Sequence, residues 1–474
     1  MDTRRLLSTT LLYGIADVIV LAVGGFLLLP LYTHTLSQSE FGLYVVVRAN
    51  TDILTYVLYL GLPSAVARVY FDYRKTNEHV QYLSSVLTFF LLNLLVFCGV
   101  LLLWGTRLWT LLAPAAPADP YLAFSLSIAA VGFLSAIASL WLRLEGRATI
   151  FAGLQVGASL VLAAVAVINL TVLGKGLPGL LFALVASSAA PALALAWLFG
   201  RKFRLLIRWS HISASLRYAI PIVVGYLAYF ILNRISTLIL QRHVAINEIA
   251  VFGLAQQLAM IVTIAGTAFG KASQPAVFGA EPFQAEELMA RSARIMTLLM
   301  FCVTTGLILF ASDLFTLVAP ASYSAGYEIL LILLVGNFAF SLTFISDTVL
   351  LYHRRPKTSV SVSLVGAIIS ASLGLWLIPQ FKLYGAAWAI AGAFLATTLL
   401  SHLIARRATR VLPVGQMWLA TGTICALAAF GAWQQHQGFT AMTSLSLKVG
   451  IAISVFGAIS SIYFRRRPAK PCSP

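Results

Sequence analysis

Long apolar segments dominate this chain and constrain what it can fold into. About fourteen of them, each roughly 20–25 residues long, alternate with short polar connections, and each is long enough to cross the ~30 Å hydrocarbon core of a bilayer as a helix. Only 10% of the 474 residues are charged, whereas soluble domains carry about 25%. The sequence therefore predicts an all-α polytopic membrane protein with about 14 transmembrane helices.

The basic residues predict the topology. When the loops are assigned alternately to the two sides, 25 of the 32 Lys and Arg residues fall on one side. The other side carries Arg107, Lys175, Arg242 and Lys382. By the positive-inside rule both termini are cytoplasmic. The net charge of +17 then reflects loop residues that face anionic lipid, and nucleic acid is not an expected partner.

Motifs recur at a similar offset in the two halves. Phe41-Gly42-Leu43 opens predicted helix two, and Phe252-Gly253-Leu254 lies in predicted helix eight. Leu177-x-Gly179 and Leu383-x-Gly385 open predicted helices six and twelve. The order predicts two six-helix lobes as parallel pseudo-repeats, followed by two C-terminal helices. The predicted domains are a lobe at 1–200, a cytoplasmic linker at 201–211, a lobe at 212–405, and two further helices with a basic cytoplasmic tail at 406–474.

The predicted helices follow from the same apolar pattern. They lie at 11–32, 41–66, 82–104, 120–142, 149–172, 177–199, 214–239, 246–270, 294–318, 325–351, 358–379, 383–404, 412–433 and 443–464. The connection at 271–293 mixes acids with Arg291 and is interpreted as a short surface helix.

Ionisable residues within apolar segments are the candidate functional residues, because a charge in hydrocarbon costs several kcal/mol unless it faces a cavity or a partner. Arg48 and Asp52 are four apart and share one helix face. They either neutralise each other or face a cavity, and Asp17 on helix one could join them at a similar depth. The full set is Asp17, Arg48, Asp52, Arg234, Asp347 and Lys448.

Arg234 lies on predicted helix seven, with no acidic residue within a turn of it along the chain. A guanidinium group suits phosphate oxygens, so we interpret Arg234 as binding a phosphate-bearing substrate. Arg234 could instead snorkel to the outer interface. Asn50 and Lys271 are further substrate-binding candidates, although a helix–helix hydrogen bond and a loop anchor explain them almost as well.

Three aromatic residues of helix seven are weaker candidates. Tyr226, Tyr229 and Phe230 could stack on sugar rings, but packing or lipid contact is the commoner role of such residues.

No nucleotide-binding loop, zinc-ligand motif or nucleophile elbow occurs in the sequence. We therefore expect no catalytic residues, no metal and no cofactor. Energy would come from a proton or sodium gradient, for which Asp17 and Asp52 are the coupling candidates, or from consumption of the product. The outer loops are short and poor in acids, which argues against a polysaccharide polymerase or glycosyltransferase.

Several motifs resemble a known family. The run Glu40 to Tyr44 (EFGLY), the run Leu60 to Ser64 (LGLPS), Leu377-Ile-Pro379 and the run Tyr384 to Ala387 (YGAA) resemble the oligosaccharide flippases of bacterial polysaccharide biosynthesis. That superfamily also contains the multidrug exporters of the MATE type and the lipid II flippases. The resemblance implies two six-helix lobes around a cationic cavity lined by helices one, two, seven and eight.

The resemblance also implies a function. It implies a flippase in the bacterial plasma membrane that moves a polyprenyl-diphosphate-linked oligosaccharide to the outer leaflet for O-antigen, capsule or exopolysaccharide synthesis. Arg48 falls where such flippases place a basic residue on helix two, so the resemblance implies that Arg48 binds the diphosphate. Membrane lipid is a partner, and a polymerase and chain-length proteins are further partners that it allows. The alternative is a cation-coupled multidrug antiporter of the MATE type, in which Asp17 would matter more than either arginine.

Overall fold

The computed structural model describes residues 20, 23–200, 202–409 and 411–436, and the regular structure in these ranges is helical throughout. Asp17 and Lys448 lie outside the described residues. The α-helices are α1 (Leu29–Thr35), α2 (Gln38–Tyr59), α3 (Leu62–Lys75), α4 (His79–Leu112), α5 (Tyr121–Leu144), α6 (Ala148–Val167), α7 (Gly176–Phe199), α8 (Trp209–Leu240), α9 (Ile246–Phe278), α10 (Pro282–Leu309), α11 (Ala311–Val318), α12 (Gly326–Ser341), α13 (Thr343–Tyr352), α14 (Pro356–Ala408) and α15 (Val414–His436).

The helices have the length and composition of membrane spans. Among the described residues, 11 helical segments are long and apolar enough to cross a bilayer. One of them, α14, covers two predicted helices that meet at Lys382, whose backbone is non-helical (φ 49°, ψ −120°). Predicted helices one and fourteen lie partly and wholly outside the described residues. The predicted all-α polytopic membrane fold is confirmed.

The chain divides into two compact units. Unit 1 is Met1–Gly253 with Val318–Pro320, and unit 2 is Leu254–Leu317 with Ala321–Pro474. Unit 1 therefore contains α1 to α8 and the first turns of α9. The lobe boundaries at 200 and 212 stay a prediction.

Several predicted boundaries differ from the structure, and two of the differences are large. Predicted helix two (41–66) is broken into α2 and α3 by Leu60 and Gly61, which both have left-handed backbones (φ 47° and 67°). This break lets the chain approach α8 closely, because a Cβ at Gly61 would lie 3.1 Å from the Ala219 carbonyl oxygen. The predicted connection at 271–293 is largely helical, since α9 continues to Phe278 and α10 begins at Pro282.

Glu40, in the first turn of α2, satisfies the exposed N–H groups of two helix starts. The Ser37 hydroxyl accepts from the Glu40 N–H (3.3 Å), and the Glu40 carboxylate accepts from the Ser37 N–H (3.0 Å), which is a capping box. The other Glu40 oxygen accepts from the Leu177 N–H at the start of α7 (3.3 Å). Glu40 therefore fixes the start of α2 against α7.

The repeated Phe-Gly-Leu motif places two glycines where α2 meets the start of α9. A Cβ at Gly42 would collide with the backbone carbonyl of Ile246, and a Cβ at Gly253 would collide with the Val45 side chain. Each copy of the motif thus supplies a glycine that faces the helix carrying the other copy. Small residues at such contacts let membrane helices approach closely.

The segment 203–208 holds α8 against α4. The Ser84 and Thr88 hydroxyls, one turn apart on α4, accept from the backbone N–H groups of Arg204 (3.4 Å) and Leu206 (3.3 Å). The Arg208 guanidinium pairs with the Glu78 carboxylate at 3.2 Å. These contacts fix the start of α8 within unit 1.

We predict that Gly42→Ala lowers the melting temperature of the purified protein, because the added methyl forces α2 away from Ile246 at a cost of about 1–3 kcal/mol. Gly157→Ala in α6 is the matched control, since a Cβ at Gly157 would have no neighbour within 4 Å. The control should leave the melting temperature unchanged or raise it, because Ala favours a helix over Gly. Equal melting temperatures for the two variants would contradict the close-contact role of Gly42.

Candidate functional site

Two series of side chains at intervals of four residues face each other across α2 and α8. Residues four apart lie on the same face of a helix, one turn above the other. The contacts described below pair later residues of α2 with earlier residues of α8, so the helices run antiparallel along this seam. The α2 series is Arg48, Asp52 and Tyr56, and the α8 series is Tyr226, Phe230 and Arg234.

At the centre of the seam, Asp52 lies between two arginines. Its Oδ1 is 3.8 Å from Arg48 Nε, and its Oδ2 is 3.5 Å from Arg234 Nε. Each carboxylate oxygen therefore faces a different guanidinium group, one from its own helix and one from the neighbouring helix. We call these three residues the arginine–aspartate cluster. Its formal charge is one positive.

The three side chains of the cluster are partly exposed. The side chains of Arg48, Asp52 and Arg234 are 40%, 26% and 23% exposed. A guanidinium group has five N–H donors, so one carboxylate oxygen at 3.5–3.8 Å satisfies only part of its capacity. Guanidinium N–H groups of both arginines therefore remain beyond those that face Asp52.

The structure corrects the interpretation of Arg234 as an arginine without an acidic partner. The sequence argument considered acids within one turn along helix seven, and there are none. Packing of α2 against α8 supplies the partner, Asp52, from 182 positions earlier in the chain. Arg234 and Arg48 thus lie at the same level because both pair with one carboxylate.

The other predicted site residues lie elsewhere. Asn50 is buried (1% exposed), because two helical positions after Arg48 point to the opposite face, and its side-chain amide donates to the Val46 carbonyl at 2.8 Å. Lys271 is exposed on the unit 2 part of α9. Asp347, also in unit 2, accepts a 2.6 Å hydrogen bond from the Ser359 hydroxyl.

Three aromatic side chains pack together next to the cluster, and the sequence argument predicts two of them as candidates. The ring of Tyr56 stacks on Tyr226 (centroids 5.8 Å apart, 26° between planes) and meets the edge of Phe230 (6.1 Å, 68°). Tyr226 and Phe230 were candidates, whereas Tyr56 was missed. The interval of four from Arg48 through Asp52 to Tyr56 is the sequence signal that would have found it.

We predict that Asp52→Asn destabilises the protein more than Asp72→Asn. Loss of the Asp52 charge leaves two arginines facing each other, at a cost of about 1–2 kcal/mol, whereas an exposed pair contributes about 0–1 kcal/mol. Asp72 is the matched control, since it pairs with Arg68 at the same spacing of four residues but both side chains are more than half exposed. Thermal unfolding of the two purified variants at low salt measures the difference. A larger loss for Asp72→Asn would contradict the linking role of Asp52.

The sequence of this chain matches one known protein family. A family model described as "Polysaccharide biosynthesis protein" matches residues 8–279, a range that contains the whole arginine–aspartate cluster. No curated protein sequence is similar enough to this chain to count as a relative.

Solved structures share the fold at low sequence identity. A lipid II flippase, MurJ, in an inward closed conformation is 13% identical with a TM-score of 0.75, over 97% of this chain and 99% of that chain. An inward-facing MATE family multidrug resistance transporter is 18% identical with a TM-score of 0.60, over 84% of this chain and 94% of that chain. A transporter of the same MOP superfamily from Pyrococcus furiosus is 15% identical with a TM-score of 0.54, over 85% and 96%.

Proposed function

The chain belongs to the polysaccharide biosynthesis protein family, and on that premise we propose that it flips a polyprenyl-diphosphate-linked oligosaccharide repeat unit across the bacterial plasma membrane. The direction is from the cytoplasmic to the outer leaflet, for O-antigen, capsule or exopolysaccharide synthesis. The family membership confirms the resemblance that the sequence motifs indicate, and the apolar helices make the chain a multi-pass membrane protein. The observation that carries the proposal is the pairing of Arg48 and Arg234 on one carboxylate.

A diphosphate matches the cluster in charge and in hydrogen bonding. Each guanidinium group presents a planar set of donors that fits two oxygens of one phosphate, and two arginines offer one such set to each phosphate. The formal charge of the cluster is already positive with Asp52 ionised, so an anion is the favoured ligand. In a low-dielectric environment this preference is stronger than it would be in water.

In this proposal Asp52 pairs with both arginines while no substrate is bound. Its carboxylate keeps the two guanidinium groups on one side of the seam and offsets their mutual repulsion. An entering diphosphate takes over part of those contacts, so one anionic partner is exchanged for another. Because binding of the diphosphate breaks contacts between the arginines and Asp52, its net affinity stays low enough for the substrate to dissociate into the outer leaflet.

The proposal also covers coupling to an ion gradient, the proteins that would use the product, and the topology. Asp17 and Asp52 are the candidates for exchanging a proton or sodium ion if transport is coupled to a gradient, and the two arginines beside Asp52 favour Asp17 of the two. A polymerase and chain-length proteins would use the product on the outer surface. Both termini would lie in the cytoplasm, as the loop charges predict.

A cation-coupled multidrug antiporter of the MATE type is the second candidate. The observation in its favour is Asp52, a partly exposed acid between apolar helices that could bind a cation. The excess of positive charge in the cluster favours the flippase, because two arginines within 4 Å of Asp52 repel a cationic drug.

The leaflet distribution of the glycan tests the proposal. In spheroplasts that carry the double variant Arg48→Gln, Arg234→Gln, we expect an impermeant glycan-cleaving enzyme to release at least about tenfold less glycan, since two charge-assisted contacts are lost. Total lipid-linked glycan should rise at the same time. The control is Arg68→Gln, which removes an exposed arginine from α3 outside the cluster and should leave accessible glycan unchanged.

Unchanged glycan exposure in the double variant would exclude the diphosphate-binding role. If resistance to toxic cations changed in the same cells, the antiporter would become the leading candidate.

A further inference from the structure

We infer that Tyr226, stacked on Tyr56 beside the arginine–aspartate cluster, is a sugar-binding platform for the first residues of the glycan. This inference rests on the proposed function, because it assumes that a diphosphate occupies the cluster. It adds a second subsite, with a different chemistry, to the same seam between α2 and α8.

The Tyr226 ring is held in place before any ligand binds. One face of the ring stacks on Tyr56, with the centroids 5.8 Å apart. Its hydroxyl lies 2.7 Å from the Ser64 hydroxyl at the start of α3. Tyr226 is nevertheless 40% exposed, so part of the ring remains available. A side chain fixed in this way loses little conformational entropy when it binds a ligand.

The chemistry of this ring suits a sugar. The C–H groups on one face of a pyranose ring form an apolar patch that packs against the negative face of an aromatic ring. A lipid-facing role fits less well, because Tyr226 directs its hydroxyl to Ser64 and belongs to the same interval-of-four series as Arg234. A charged residue marks the side of a membrane helix that turns away from lipid.

The spacing places the platform where the glycan would lie. Tyr56 follows Asp52 by four residues, about 6 Å along α2, and Tyr226 precedes Arg234 by eight residues, about 12 Å along α8. Because the helices are antiparallel, both displacements run in the same direction from the cluster. That direction leads to the end that the loop charges predict to be cytoplasmic, from which the glycan would enter. With the diphosphate at the arginines, the sugars next to it reach the Tyr226 ring.

Two lipid probes test the platform. One is polyprenyl diphosphate, and the other is polyprenyl diphosphate that carries a disaccharide of N-acetylhexosamines. Binding of each is measured to the purified full-length protein in nanodiscs. For the wild-type protein we expect the glycosylated probe to bind about 3- to 10-fold more tightly, the gain of one aromatic stack. Tyr226→Ala should abolish this gain and leave the affinity for the bare probe within about twofold.

Two further variants serve as controls. Tyr226→Phe keeps the ring and loses only the hydroxyl contact to Ser64, so it should retain the gain. Tyr384→Ala removes a tyrosine of similar exposure (44%) from α14, which is not part of the seam, and should also retain it.

Failure of the platform can be told apart from failure of the proposed function. Equal affinities for the two probes in the wild-type protein, or an equal loss for both probes in Tyr226→Ala, would overturn the platform. The double variant Arg48→Gln, Arg234→Gln should weaken both probes. If it weakened neither, the diphosphate-binding role would fail whatever Tyr226 does.

Discussion

A carboxylate that two arginines share is the interaction on which the candidate site depends. Charged side chains between apolar helices need partners, and Asp52 provides one for Arg48 on its own helix and for Arg234 on α8. Since the two arginines come from different helices, the same contact that neutralises them also fixes α2 against α8. The pairing leaves one net positive charge at a partly exposed surface, which is the electrostatic basis of the proposed anion binding.

The position of this seam is set from both of its ends. Near its start, α2 is fixed by Glu40, which caps both α2 and α7, and by the Gly42 contact with the start of α9. At the other end, α8 is fixed by hydrogen bonds from segment 203–208 to Ser84 and Thr88 on α4. The polar residues between these anchors therefore meet in a defined register. The ion pairs and the aromatic stack are consequences of that register.

Apolar length predicted the helices well, because a span must be long enough for the hydrocarbon core wherever it packs. The predicted helix at 120–142, for example, corresponds to α5 at Tyr121–Leu144. The break at Leu60 and Gly61 was missed, because both residues sit inside a continuous apolar stretch. The pair of Arg48 with Asp52 was predictable from their spacing, whereas the pair of Arg234 with Asp52 depends on tertiary packing that no local pattern specifies.

The most direct measurement is a cryo-electron-microscopy structure of the full chain in a nanodisc with polyprenyl-diphosphate-linked oligosaccharide. We expect the diphosphate within hydrogen-bonding distance of both the Arg48 and Arg234 guanidinium groups, and Asp52 withdrawn from at least one of them. A diphosphate bound to other residues, with both Asp52 contacts kept as they are at 3.8 and 3.5 Å, would contradict the role of the cluster.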